Sequence, residues 1–178
     1  LPGMQRASLF HALNQKAVAR RAAIELGLKY ENAQLVVAHL GGGTTIGAHE
    51  NGRVIDVNNG YDSEGPFSPE RSGTLPVGAV VKLCLSGEHS IEEIRKMLVG
   101  KGGVFAHLGT NDMREVVKKI ESGDEEAKLV YEAMAYQVAK AIGSRATVLR
   151  GRVDAIVITG GIAYDEHLVE MITGRVAW

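Results

Sequence analysis

A single cysteine, Cys84, stands in the whole sequence, which excludes an internal disulfide and suits a reducing compartment. It lies in an apolar run and is expected to be buried and inert. No run approaches the ~20 apolar residues of a membrane-spanning helix, and no secretory leader precedes Leu1, so a cytoplasmic setting is expected. Charge of one sign is also scarce in excess: the net charge of -1 gives no electrostatic case for nucleic acid or for an anionic membrane. The six histidines are scattered and show no metal-ligand spacing. Internal repeats and low-complexity tracts are missing too. What remains is an ordinary globular composition, 45% hydrophobic and 23% charged over 178 residues, suited to one domain.

Glycine is what the chain has in quantity, with 22 residues, and residues 35–58 use it most pointedly. An apolar run from Leu35 to Ala38 predicts a buried strand, followed by Gly41, Gly42 and Gly43, then Thr44 and Thr45. A second run reaches Asn51-Gly52, a strong hairpin signal, and a third contains Val54, Ile55 and Val57. Strand, glycine turn and hairpin differ from the dinucleotide and P-loop motifs, which run from a strand into a helix. A phosphate here would rest on the backbone N–H groups of a turn, with glycines adopting positive φ and the Thr44 and Thr45 hydroxyls donating to its oxygens. A plain glycine-rich connection is the alternative.

Around this unit the periodicity predicts a helix over residues 9–28, with Leu13, Ala17, Ile24 and Leu28 on its buried face and Gly27 near its end. His11, at the first turn, is either a capping histidine or a cationic imidazole near a transferred phosphoryl group. Residues 59–75 have no helical or strand period and read as a long loop, a type often functional. Within it, Arg71 is either a surface cation or a planar donor fork for phosphoryl oxygens. Pro76 should start a helix ending near Leu85, with Gly87 beyond it, and Ser90 with Glu93 forms a capping-box pattern for the next. Gly100-Lys101-Gly102-Gly103 looks superficially suited to phosphate but lacks a following helix with Ser or Thr, which argues against that role. Thr110 or Asn111 should cap a helix carrying Asp112 in its first turn, and Asp124 should cap a long one to about Leu149. Val130, Met134, Val138, Ala141 and Ile142 form the latter's buried stripe. A last strand over 153–158 runs through Gly160-Gly161 into a short helix, either a nucleotide seat or a tight βα connection.

Taken in order, Phe10-His11, residues 39–45, Arg71-Ser72-Gly73, Asp112-Met113-Arg114 and residues 159–162 resemble the motif series of the acetate and butyrate kinases. Residues 69–76 and 160–165 are closer to the butyrate branch. Gly42 replaces an asparagine of the acetate branch, and Ala163-Tyr164-Asp165 replaces its Gly-Glu-Asn. The resemblance implies a ribonuclease H-like α/β fold of the acetate and sugar kinase, heat-shock chaperone and actin superfamily. It covers residues 1–178 as a single C-terminal nucleotide-binding lobe of a two-lobed kinase, a fragment lacking the N-terminal lobe and the extreme C-terminus. By this match His39, Leu40, Gly41, Gly42, Gly43 and Thr44 hold nucleotide phosphates. Asp112, Met113, Arg114, Gly161, Ile162, Ala163, Tyr164 and Asp165 line the nucleotide side, and His11 and Arg71 stabilise the phosphoryl group in flight. The implied cofactors are ATP or ADP with Mg2+, the metal held mainly outside this chain. The implied partners are a small carboxylate and the nucleotide, with self-association into a homo-oligomer.

Overall fold

A computed structural model describes residues 3 and 8–177. The apolar run at residue 35 forms β1 (Leu35–Leu40), followed by β2 (Thr44–Glu50) and β3 (Arg53–Val57). Asn51 and Gly52 between β2 and β3 have φ of 52° and 72°. Positive φ at both central residues is what a type I′ hairpin turn requires. The last strand, β4 (Ala155–Thr159), pairs with β1 in parallel, whereas the other pairs are antiparallel, giving the order β3-β2-β1-β4. In this register His39 lies opposite Thr45 on one side and Thr159 on the other.

Alternation along the strands divides the sheet into two faces. Val36, Ala38, Leu40, Ile46 and Ala48 join the main core with Tyr131, Met134, Val138 and Ile142 of α6 (Glu125–Val148). The predicted stripe of this long helix is therefore observed, with Ala141 at its margin, and Asp124 caps it by accepting from the Ala127 N–H at 3.0 Å. On the other face Leu35, Val37, Ala155 and Val157 meet Ala19 and Ala23 of α1 (Ala12–Glu25).

That second face corrects one expectation. Leu13 and Ile24 of α1 are 91% and 75% exposed, while Gln15, Ala19 and Ala23 turn inward. Small residues let the helix lie close over the sheet, and Gln15 is drawn in by polar partners described below. Gly27, at φ 71°, terminates the helix as expected, its N–H donating to the Ile24 carbonyl.

The intervening segment carries α2 (Val77–Leu85), α3 (Ile91–Leu98), α4 (Gly103–Leu108) and α5 (Met113–Glu121), and α7 (Glu166–Thr173) closes the described chain. Ser90 and Glu93 make the predicted capping box, with Glu93 N–H donating to Ser90 Oγ at 3.2 Å and Ser90 N–H to the Glu93 carboxylate at 2.7 Å. None of the α2 residues is buried, and Cys84 is exposed rather than enclosed. Helix α2 packs beside α3 instead of on the sheet, so its apolar run records no core position. Asp112 is the N-cap of α5 and not a first-turn residue. Among the described residues, no helix is long and apolar enough to cross a membrane.

Candidate active site

Strands β1 and β4 run parallel, so their carboxyl ends lie side by side and each leads into a glycine turn. A crevice at the carboxyl ends of parallel strands is where open α/β sheets place ligands. The two turns need glycine for different reasons. Gly160 has φ of 95°, and a Cβ there would press into the Leu40 backbone, 2.8 Å from its carbonyl carbon. Gly41, Gly42 and Gly43 have no positive φ, contrary to expectation. Their missing side chains leave room for polar groups: His39 Nε2 at 3.3 Å from a Cβ on Gly41, the Glu70 carboxylate at 3.4 Å from one on Gly42, and Arg71 Cζ at 2.8 Å from one on Gly43.

The predicted irregular loop brings Glu70 and Arg71 to this turn. Ser68 Oγ donates to the Gly42 carbonyl at 2.6 Å, and the Arg71 guanidinium donates to the Gly60 carbonyl. From the far side the N–H groups of Gly100 and Gly102 donate to the Glu70 carbonyl at 2.8 and 3.2 Å. A Cβ on Gly102 would lie 2.6 Å from the Ser72 nitrogen, and one on Gly103 would strike the Ser68 carbonyl. The glycine cluster at 100–103 is thus a cradle for the Arg71 loop. The short helix that follows, α4, carries no Ser or Thr.

His11 stands at the N-cap position of α1 with no side-chain capping bond, and its ring stacks on His39 with centroids 3.7 Å apart and planes 13° apart. His11 Nδ1 is 2.9 Å from Thr45 Oγ1, and His39 Nδ1 donates to Asn14 Oδ1 at 2.8 Å. Burial, and secondarily the Arg71 charge, hold the His11 imidazole below its usual range. His39 is held down to about 4 by burial and by His11. Burial first, and the Arg71 charge second, thus favour the neutral His11 imidazole over the expected cationic one in the free protein. Thr45 is fully buried with its hydroxyl already engaged, and Thr44 is buried as well, so neither fits the expected hydroxyl donor to a ligand.

A cleft of about 1180 Å3 opens beside this pair, bounded by Gly41, Gly42 and Glu70, by Asp112, Met113 and Arg114, and by Gly161, Ile162, Tyr164 and Asp165. Pockets of roughly 300–1,000 Å3 hold drug-sized ligands, so the space suffices for a nucleotide. His39, Leu40, Gly43, Thr44 and Ala163 do not line it; Leu40 belongs to the core. Three carboxylates at the cleft already have partners. Asn111 donates to Glu70 Oε1 at 2.7 Å, Arg114 Nη2 to Asp112 Oδ2 at 2.6 Å, and the Tyr131 hydroxyl to Asp165 Oδ2 at 2.8 Å. Hydrogen bonds from the Arg114 side chain, then from its backbone, hold Asp112 down to about 2. Burial, then the Asp165 hydrogen bond, push the Tyr131 hydroxyl up. Asn14, Gln15 and Glu70 escaped the residue reading. For Gln15 the available signal was its place four residues after His11, on the same helical face.

Parallel strands ending in paired glycine turns beside a cleft define an α/β lobe of ribonuclease H-like fold. The same fold appears in a ROK family protein from Streptococcus pneumoniae TIGR4, at TM-score 0.51 and 13% identity over 92% of this chain and 52% of that one. Closer likeness is found to acetate kinase from Porphyromonas gingivalis, at TM-score 0.86 and 31% identity, and to a propionate kinase from Francisella tularensis subsp. tularensis SCHU S4, at TM-score 0.83 and 33% identity. These cover 92% and 94% of this chain but only 41% and 43% of the matched chains. The acetokinase family pattern matches residues 3–174, and the chain belongs to that family.

Proposed function

We propose that this chain is the nucleotide-binding half of an ATP-dependent kinase that phosphorylates a short-chain carboxylate, butyrate or a branched analogue, to an acyl phosphate. One observation carries the reading: the Gly41-Gly42 turn and Glu70 line a nucleotide-sized cleft, and the residues next to them, Gly43 and Arg71, pack against each other with the Arg71 charge felt at His11. Family membership supports the reaction class, and the wording of residues 69–76 and 160–165 supports the butyrate branch.

The chemistry matches these groups. A carboxylate is ionised at neutral pH and needs no general base to attack a γ-phosphoryl group. The remaining work is alignment and charge neutralisation, for which the Arg71 fork and the His11 N–H are suited. Magnesium would add positive charge at the phosphates when bound with the nucleotide. Among the described residues no group of three or more His, Cys, Asp or Glu is placed to hold a metal, and Glu70, Asp112 and Asp165 are engaged as described. The residues of this chain therefore do not fit a magnesium site, and no step is assigned to the metal. Since phosphoryl transfer depends on positioning by both sides of a cleft, the chain by itself should bind nucleotide without turnover.

Hydroxylamine trapping of acyl phosphate by the full two-lobed protein tests the reading, with butyrate, isobutyrate and acetate offered in parallel and glucose phosphorylation followed by ADP release. Butyrate or isobutyrate should give the highest kcat/KM. Preference for acetate would remove the butyrate assignment, and ADP release with glucose alone would remove the carboxylate kinase.

A further inference from the structure

We propose that Gln15 is a positioning residue that fixes the tautomer of His11, so that His11 presents Nε2–H to a phosphoryl oxygen. The proposal rests on the reading of His11 given above and extends it to a buried relay behind the site. Five side chains form that relay. Gln15 Nε2 lies 3.1 Å from the Thr45 carbonyl and 3.0 Å from Thr45 Oγ1. Gln15 Oε1 is 3.1 Å from His49 Nε2, and His49 Nδ1 is 2.9 Å from the Tyr30 hydroxyl. Thr45 Oγ1 is in turn 2.9 Å from His11 Nδ1.

The directions of these bonds follow from donor and acceptor chemistry alone. A carbonyl only accepts, so the group facing the Thr45 carbonyl must be the Gln15 amide nitrogen, whose second N–H donates to Thr45 Oγ1. Gln15 Oε1 then accepts from His49 Nε2–H, which leaves His49 Nδ1 to accept from the Tyr30 hydroxyl. The Thr45 hydroxyl has one hydrogen to place, and His11 Nδ1 is the acceptor in contact with it. Gln15, Thr45 and His49 are all fully buried, so solvent cannot re-pair them. The opposite His11 tautomer would leave a buried hydroxyl hydrogen without an acceptor, an outcome folded proteins avoid. With Nδ1 accepting, the proton of the neutral imidazole sits on Nε2.

The sheet is shaped for this amide. Gly47 faces Gln15, and a Cβ there would collide with Gln15 Oε1 and stand 3.3 Å from His49 Nε2. Burial, and secondarily Lys16, hold His49 down to about 4, which keeps it in the neutral form the relay needs.

The test is a long-range proton–nitrogen correlation spectrum of the imidazoles in the uniformly nitrogen-15-labelled 178-residue protein, with His11 assigned by its absence in His11→Gln. The wild type should show His11 protonated at Nε2 and unprotonated at Nδ1. Gln15→Leu removes the amide donor to Thr45 Oγ1, so the Thr45 hydroxyl is no longer held as a donor and His11 should show a mixture of both patterns. Thr45→Val keeps the shape but removes the relay, and should give a mixture of both; it decides the matter if the Gln15 variant does not fold. A wild-type His11 carrying its proton on Nδ1, or a folded Thr45→Val protein with the wild-type pattern, overturns the proposal. The spectrum needs no turnover, so a failed kinase assay and a failed relay are read separately.

Discussion

The two faces of the sheet are built from the same strands and differ in what they bury. Under α6, Val36, Ala38, Leu40, Ile46 and Ala48 form a dry surface continuous with the helix stripe. Under α1 the face is mixed: Leu35 and Val37 of β1 are apolar, while His49 lies opposite Leu35 and Thr45 opposite His39 at the carboxyl end. Apolar periodicity locates a helix face only where packing alone decides the orientation. Where a helix must also satisfy buried hydrogen bonds, a glutamine goes in and leucines stay out, because an unpaired buried amide or imidazole costs more than an exposed leucine gains.

Substitutions can break or sharpen this contrast. Ile142→Ala, on the dry side, should lower stability by about 3 kcal/mol through lost burial and a residual cavity, measured by chemical denaturation. A loss below ~1 kcal/mol would show that the α6 face is not the main core. On the polar side, Arg71→Lys in the two-lobed kinase keeps the charge but loses the planar fork. It should lower kcat by at least ~10²-fold with a much smaller change in nucleotide KM, as for an interaction made mainly in the transition state. Unaltered kcat would place Arg71 among purely structural residues, holding the Gly60 carbonyl and the Gly43 turn.

Acid should act on the polar face specifically. His49 is ordinarily near 6.5 and is held to about 4 in the fold, so below pH 6.5 the unfolded chain binds a proton that the folded chain refuses. Stability present above that pH is lost as pH falls from about 6.5 to about 4, by about 3 kcal/mol. Urea titrations across that range should show a shallower pH dependence in His49→Gln than in the wild type; equal slopes would mean that His49 is not the titrating group. Leu13→Ala and Cys84→Ser, both at exposed positions, should each change stability by under ~0.5 kcal/mol, and a larger loss in either would reveal a buried role.

Much of the sheet and of its helices was legible in the residues because local rules agreed with the tertiary outcome. Asn51-Gly52 makes its turn, Ser90 and Glu93 make their box, Asp124 caps α6, and the α6 stripe is buried. The failures share one cause, which is that long-range partners are invisible to local patterns. Gln15 needed His49 and Thr45, and α2 looked internal because its composition says nothing of where the loop carries it. Part of the candidate site was visible in the residues as well. Glycine turns and the loop arginine stood out, whereas Glu70 and Asn14 acquire meaning only from contacts with Gly42 and His39.

The central claim is that the Gly42 turn and the adjoining cleft hold a nucleotide, and calorimetric titration of ADP into this chain and into its Gly42→Val variant tests it most directly. The account predicts binding by the wild type, weakened by more than ~1 kcal/mol in the variant because the added side chain fills space beside Glu70 that a phosphate needs. Absence of binding by the wild type, or equal affinity in a folded Gly42→Val protein, would contradict it.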